Sequence, residues 1–248
     1  AVTLFRQGRL TVMHVVSGDR AIDDWTDAPQ VRETLEAWGL LEEGSARGEV
    51  FDRLAIKVSK INVRAGSPLK AITKQMDKRP ADLVVLATEG REGMPRCLSP
   101  SIAESVARRT SEMTLFVTGG TGGFVDPENG HIGIKRILIP VDHQPEPAAA
   151  LTYATRAAVM SNEESVELIQ LRIGDEASWP ELKLPELRSC AWRRMVREGN
   201  VVKEIVTVAE EVSADLVVMA TEGRTGILDA LRGSVTEQVL RGVGCPLL

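Results

Sequence analysis

Residues 217–240 read VVMATEGRTGILDALRGSVTEQVL, and residues 84–107 read VVLATEGREGMPRCLSPSIAESVA. Twelve of these 24 aligned positions are identical, at a constant offset of 133. The match extends outward: ADLVV stands at both 81–85 and 214–218, and VRAGS (63–67) faces VREGN (196–200). Self-similarity at so long a period excludes a solenoid, whose units run to about 20–50 residues. Two domains of one type are expected. One step differs between the copies: Gly233-Ser234 in the second is Pro100-Ser101 in the first.

The second copy fixes the fold class. KRILIPVD (135–142) is a short, β-branched apolar run ending in Pro and Asp, which reads as a buried strand. PEPAAALTYATRAAVM (145–160) is alanine-rich with helical spacing; VELIQLRI (166–173) and SCAWRRMVREG (189–199) read as strands. VVKEIVTVAEEVSA (201–214) is helical, ADLVVMA (214–220) a buried strand, and VTEQVLRG (235–242) a short helix. Strands alternating with helices predict an α/β fold with a largely parallel sheet covered on its faces.

The first copy begins later. AVTLFRQG (1–8) reads as a helix end entering the strand RLTVMHVV (9–16), and no counterpart of KRILIPVD precedes it. The last four residues, CPLL, begin a strand that the first copy continues through Phe116-Val117. Residues are therefore expected to be missing at both ends. An insertion at 17–50 carries VRETLEAWGLL, with helical spacing, and the large anchors Trp25 and Trp38; it reads as a cap over the sheet edge or as a partner surface. The Gly-rich TGGTGGFVDPENGHIG (118–133) joins the copies and is not a phosphate loop, because no helix or Lys-Ser/Thr follows the glycines. The expected division is a first domain at 1–120, a linker at 121–133 and a second domain at 134–248.

Composition narrows the function classes. With 248 residues, 43% hydrophobic and 26% charged, the chain has ordinary globular character. A net charge of -5 opposes a general grip on nucleic acid or anionic membrane. No apolar run approaches the about 20 residues of a membrane span, and no signal-peptide pattern opens the chain. Cys97, Cys190 and Cys245 form no C-x-x-C, and His14, His131 and His143 lack helical ligand spacing. His143 beside Asp142 suits a solvated loop better than a metal. A reduced, cytoplasmic, soluble protein is expected.

The duplicated loop carries the chemistry. Ser234-Val-Thr-Glu237 and Ser101-Ile-Ala-Glu104 both fit the S-x-x-E capping box, so either serine serves as a plain helix cap. A helix N-terminus also offers unpaired N–H groups and partial positive charge to a phosphate. Gly233 adds a further N–H with no bulk, whereas Pro100 has no N–H and places a ring there. The exchange removes a phosphate donor while keeping the cap. Asp142 ends the first strand of the copy, and Ala220–Gly223 follow its fourth. If those strands are neighbours, one crevice holds a carboxylate on one wall and backbone donors on the other. Asp142 alternatively caps the helix at 145–160.

KRILIPVD with its alanine-rich helix, ADLVVMATEGRTG and GSVTEQVLRGVGCPLL resemble the universal stress protein family, here as a tandem pair spanning nearly the whole chain. The resemblance implies two Rossmann-like domains, each an open, mainly parallel five-stranded sheet ordered 3-2-1-4-5. Nucleotide-binding members carry G-x-x-G-x9-G-[ST] after the fourth strand. Here that motif maps to Ala220, Gly223, Gly233 and Ser234. By resemblance Asp142 meets adenine, Val141 and Leu171 lie near the base or ribose, and Gly223, Arg224, Gly233, Ser234 and Val235 line the phosphates. The departure is Ala220 at the first glycine. Were a positive φ needed there, a Cβ would cost roughly 1 kcal/mol. In the first copy the motif becomes Ala87, Gly90, Pro100 and Ser101, and binding there is not expected.

The function so implied is a stress-response protein whose second domain binds ATP, ADP or AMP, ATP foremost and with Mg2+ as a companion, and which regulates or protects rather than catalyses. A scaffold that binds no nucleotide, and a weak ATPase or phosphotransferase at the same site, are the alternatives. The family's dimerisation through final strands implies intrachain pairing of the copies, a homodimer, or both; nucleic acid and membrane are not expected partners.

Overall fold

The computed structural model describes residues 8–16, 30–46, 48–88, 102–107, 109, 112–118, 123–187, 189–221 and 235–248. They form two compact units, Ala1–Pro80 with Asp126–His131, and Ala81–Val125 with Ile132–Leu248. Among the described residues no helix is long and apolar enough to cross a membrane.

In the first unit, β1 (Arg9–Val16) and β2 (Lys57–Arg64) pair in parallel over eight residues each. Three helices accompany them: α1 (Val31–Ala37), α2 (Glu49–Leu54) and α3 (Pro68–Lys78). The insertion builds a small core of Leu35, Leu41 and Val50, packed with Trp38, Leu54, Ile56 and Val58. It therefore covers β2 through Val58. Trp38 ends α1 and donates its indole N–H to the Pro127 carbonyl at 2.9 Å. Trp25 lies outside the described residues, as do residues 1–7. The α2 helix was not foreseen from the sequence.

The second unit begins with β3 (Leu83–Thr88), α4 (Ile102–Ala107) and β4 (Met113–Thr118) from the first copy. The second copy follows as β5 (Arg136–Pro140), α5 (Ala148–Met160), β6 (Val166–Ile173), β7 (Cys190–Arg197), α6 (Val201–Glu211), β8 (Leu216–Val217) and α7 (Val235–Gly242). Its strands are ordered β7-β6-β5-β8, all parallel. Leu247 then pairs with Val217 in parallel, which completes the order 3-2-1-4-5. Parallel strands need helical crossovers, and these bury both faces. On one face Ala150, Leu151, Ala154, Ala157 and Ala158 of α5 pack with Ile137, Ile139 and Leu168. On the other, Ile205, Val208, Val239 and Leu240 of α6 and α7 pack with Leu138, Ile169 and Val217. The alanines suit a helix pressed close to a sheet.

Strand β8 is shorter than the apolar run 214–220 suggested, but extended hydrogen bonding continues: Val218 N–H donates to Leu138 O at 2.9 Å and Met219 N–H to Leu248 O at 2.8 Å. The paired pentapeptides VRAGS and VREGN each supply a helix cap, since Ser67 accepts from Lys70 N–H and Asn200 from Lys203 N–H. The two copies meet at their last strands. Phe116 and Leu247 form an antiparallel bridge, with Phe116 N–H to Leu247 O at 2.7 Å and Leu247 N–H to Phe116 O at 3.0 Å.

Gly130 adopts φ +73°, and a Cβ there would stand 2.5 Å from Trp38 Cδ2. Gly44 has φ +76° with nothing within 4 Å. Gly44→Ala is expected to cost about 1 kcal/mol by backbone strain alone, and Gly130→Ala about 1–3 kcal/mol more by overpacking. Urea unfolding midpoints check this; equal losses would show that Trp38 is not seated on this turn.

Candidate nucleotide site

The sheet order reverses between β5 and β8: the chain leaves β5 toward β6 and β7, then returns on the far side to β8. Crossover helices from those two directions lie on opposite faces, so the carboxyl ends of β5 and β8 form the switch point at which open α/β sheets bind ligands. Asp142 follows β5 at that end, and Ala220 and Thr221 follow β8.

Asp142 does not cap α5, whose N-cap is Pro147 without a side-chain hydrogen bond. Its carboxylate is held elsewhere. Asp142 Oδ1 accepts from the His143 N–H at 2.6 Å and from Arg172 Nη1 at 2.6 Å. The Arg172 side chain is 10% exposed, against 54% for Asp142, so the pair runs from the protein interior to its surface. Arg172 Nη2 also donates to Ser178 Oγ at 3.0 Å, Ser178 Oγ donates to Asp175 O at 2.8 Å, and His143 Nε2 donates to Ser178 O at 3.0 Å. His143 thus serves the loop. Asp142 Oδ2 accepts no hydrogen bond among the described residues.

Val141 and Leu171 are buried, and Val141 N–H donates to Leu171 O at 2.9 Å. Their side chains enter the cores on opposite faces of the sheet, Val141 with α5 and Leu171 with α6. They therefore do not present side chains jointly. Ala220 packs partly against the α5-side core. Among the described residues, positive φ at non-glycine positions occurs at Ala55 and Ser213, so Ala220 is not left-handed and its Cβ carries no such strain. Val235 opens α7 and is exposed. Gly223, Arg224, Gly233 and Ser234 lie outside the described residues, as does the first-copy loop from Gly90 to Ser101.

Sequence reasoning missed Arg172 and Gln170. They alternate with apolar residues of β6 on the face that carries Val166 and Leu168. Gln170 is fully buried, and among the described residues neither its amide atoms nor the buried Arg172 Nε and Trp179 Nε1 find a partner. The available signal was two polar residues near the end of an otherwise buried strand. The exposed Asp142 carboxylate thus keeps one oxygen that accepts nothing among the described residues.

Burial pushes the Cys245 thiol up to about 11, reinforced by the Asp215 carboxylate, and burial also raises Cys190. Thiolate is the nucleophile, so Cys245 stays inert at neutral pH. Among the described residues no group of three His, Cys, Asp or Glu side chains is arranged to hold a metal.

The comparisons agree with this architecture. A model of the universal stress protein family matches residues 1–118 and 161–248. A universal stress protein of Mycobacterium tuberculosis is 28% identical over 267 residues, covering 96% of this chain and 86% of the relative. One from Methanocaldococcus jannaschii is 32% identical over 145 residues, covering 48% of this chain and 84% of the relative. The crystal structure of a universal stress protein from Archaeoglobus fulgidus superposes with a TM-score of 0.59 at 19% identity, over 96% of this chain and 84% of that one. The chain belongs to the universal stress protein family.

Asp142→Ala leaves the buried Arg172 guanidinium with Ser178 as its one side-chain partner among the described residues. The expected destabilisation is about 1–3 kcal/mol, below that of a fully buried pair because Asp142 is half in water. Denaturant unfolding without added nucleotide checks it; an unchanged midpoint would show that the ion pair contributes nothing. Iodoacetamide at pH 7.5 should leave Cys245 unmodified in the folded protein, with mass mapping as the readout, and labelling should accelerate as pH climbs toward 11.

Proposed function

We propose that the second repeat binds an adenine nucleotide and that the chain acts as a regulatory or protective stress-response module in the cytoplasm, not as an enzyme. The observation that carries this reading is Asp142 at the reversal between β5 and β8, with Oδ1 anchored by Arg172 and Oδ2 accepting nothing among the described residues. An anchored carboxylate is pre-organised to accept the adenine amino group. The phosphates would extend along the backbone after Ala220 toward Gly223, Arg224, Gly233, Ser234 and Val235, where the N-terminus of α7 and the Gly233 N–H favour negative charge. ATP would bring Mg2+ on its phosphates. The negative φ of Ala220 supports retained binding, because alanine then disturbs no backbone conformation. The titratable neighbours His143 and Arg172 are engaged in structural contacts, which favours holding a ligand over transforming it. The repeats at 1–120 and 134–248 would thus differ in role, with Pro100 closing the first site.

Mass spectrometry of small molecules released from freshly purified protein, then calorimetric titration of ATP and AMP into stripped protein, tests the proposal. Adenine nucleotide should be recovered. Asp142→Ala should weaken binding by about tenfold or more, the loss of a hydrogen bond to a charged acceptor. Gly233→Pro should abolish binding of ATP with the fold intact. Absence of nucleotide, together with no heat up to millimolar ATP, would reject the reading.

A further inference from the structure

Two donors converge on one oxygen of Asp142. Its Oδ1 accepts from Arg172 Nη1 and from the His143 N–H, both at 2.6 Å. A carboxylate oxygen has two lone pairs, so Oδ1 is saturated from the protein side. The guanidinium that saturates it is held in place. Arg172 is buried on β6, and its Nη2 donates to Ser178 Oγ at 3.0 Å. Ser178 ends the single turn Glu176–Ser178, which Asp175 caps by accepting the Ala177 N–H at 2.9 Å. The next residue, Trp179, packs partly against the α5-side core, and the Arg194 guanidinium stands over its ring at 5.1 Å. Pulling Asp142 away would strand a buried cation, which is strongly disfavoured.

This arrangement limits which base the carboxylate can serve. A carboxylate with both oxygens open matches guanine, whose N1–H and N2–H donors stand side by side, as it matches the paired donors of an arginine. Adenine presents on the same edge one amine donor beside an acceptor nitrogen. With Oδ1 saturated, Asp142 offers a base one oxygen, Oδ2. That suffices for the adenine amine. Guanine placed on Oδ2 would leave its second donor unpaired and turned toward a positive charge.

We propose that Arg172 is a positioning residue that makes this site select an adenine nucleotide over a guanine nucleotide, by occupying Asp142 Oδ1 and leaving the base a single acceptor. The inference rests on the reading that Asp142 meets the base. Arg172 acts through Asp142 and needs no contact with the base itself.

Calorimetric titration of ATP and of GTP into the stripped, intact chain tests this through the ratio of the two dissociation constants. The parent chain should prefer ATP by about tenfold or more, the worth of one hydrogen bond to a charged acceptor. Arg172→Met frees Oδ1 and should move the ratio toward GTP by about the same factor, whereas Arg172→Lys keeps a charged donor and should retain the preference. A merely structural loss would lower both affinities together and leave the ratio alone. Asp142→Asn supplies a second measurement at a half-exposed position that keeps an oxygen for Arg172. Arg172 and the His143 N–H should hold the amide oxygen and turn its NH2 toward the base, so ATP should lose its advantage over GTP. An unchanged ratio in Arg172→Met would overturn the inference while leaving the adenine reading in place. If that variant does not fold, an Asp142→Asn chain with the parent's ATP preference would overturn it equally. No binding of either nucleotide by the parent would reject the adenine reading and the inference together.

Discussion

The structure of the second copy depends on burying one short strand from both sides. Ile137, Leu138 and Ile139 are all fully buried, and alternation sends Leu138 into the core under α6 and α7 and the two isoleucines into the core under α5. A strand so apolar is stable only with a hydrogen-bonded neighbour on each edge and a helix layer on each face. Asp215 adds a constraint at its start, holding the Lys135 and Arg136 amides and so fixing the register of β5 against β8. The end of β5 is then fixed as well. It delivers Asp142 to the place where the sheet order reverses.

The same requirement explains why the compact units do not follow the sequence repeat. The four described strands of the first copy form two pairs, β1 with β2 and β3 with β4. Each pair finds its apolar contacts locally. The β1–β2 pair goes with the insertion, whose Leu35, Leu41 and Val50 pack toward Ile56 and Val58. The β3–β4 pair joins the second copy through Phe116 and Leu247, and Leu115 and Phe116 are absorbed into its two cores. Sequence similarity records descent; compactness records which apolar surfaces are covered.

Long periodic signals were legible in the sequence. The bounds of β1, β6 and α7 match the apolar runs from which they were read, and the order 3-2-1-4-5 followed from the family resemblance. Short ones were not: α2 is six residues, EVFDRL, too brief to establish a helical period. The Asp142–Arg172 pair was invisible for another reason. It joins a residue of β6 to one just past the end of β5, and only the register that sets Pro140 opposite Leu171 brings them together. A sequence shows that Arg172 is an odd residue in a buried strand, but not which carboxylate compensates it. The phosphate-facing half of the proposed site rests on motif spacing, with Ala220 and Val235 as its described flanks.

The two departures from the loop motif act on different physical quantities. Replacing glycine by alanine matters where the backbone is left-handed or where another group must approach within Cβ contact. Ala220 meets no penalty of the first kind, since its φ is not positive, and the core on the α5 side gains its methyl as packing surface. Replacing glycine by proline removes an N–H donor whatever the backbone does, and Pro100 stands where the second copy has Gly233. One exchange leaves the donor set intact and the other shortens it by one. Two loops with twelve common residues in 24 are therefore not chemically equivalent, and the asymmetry lies at the position where an anion would need the donor most.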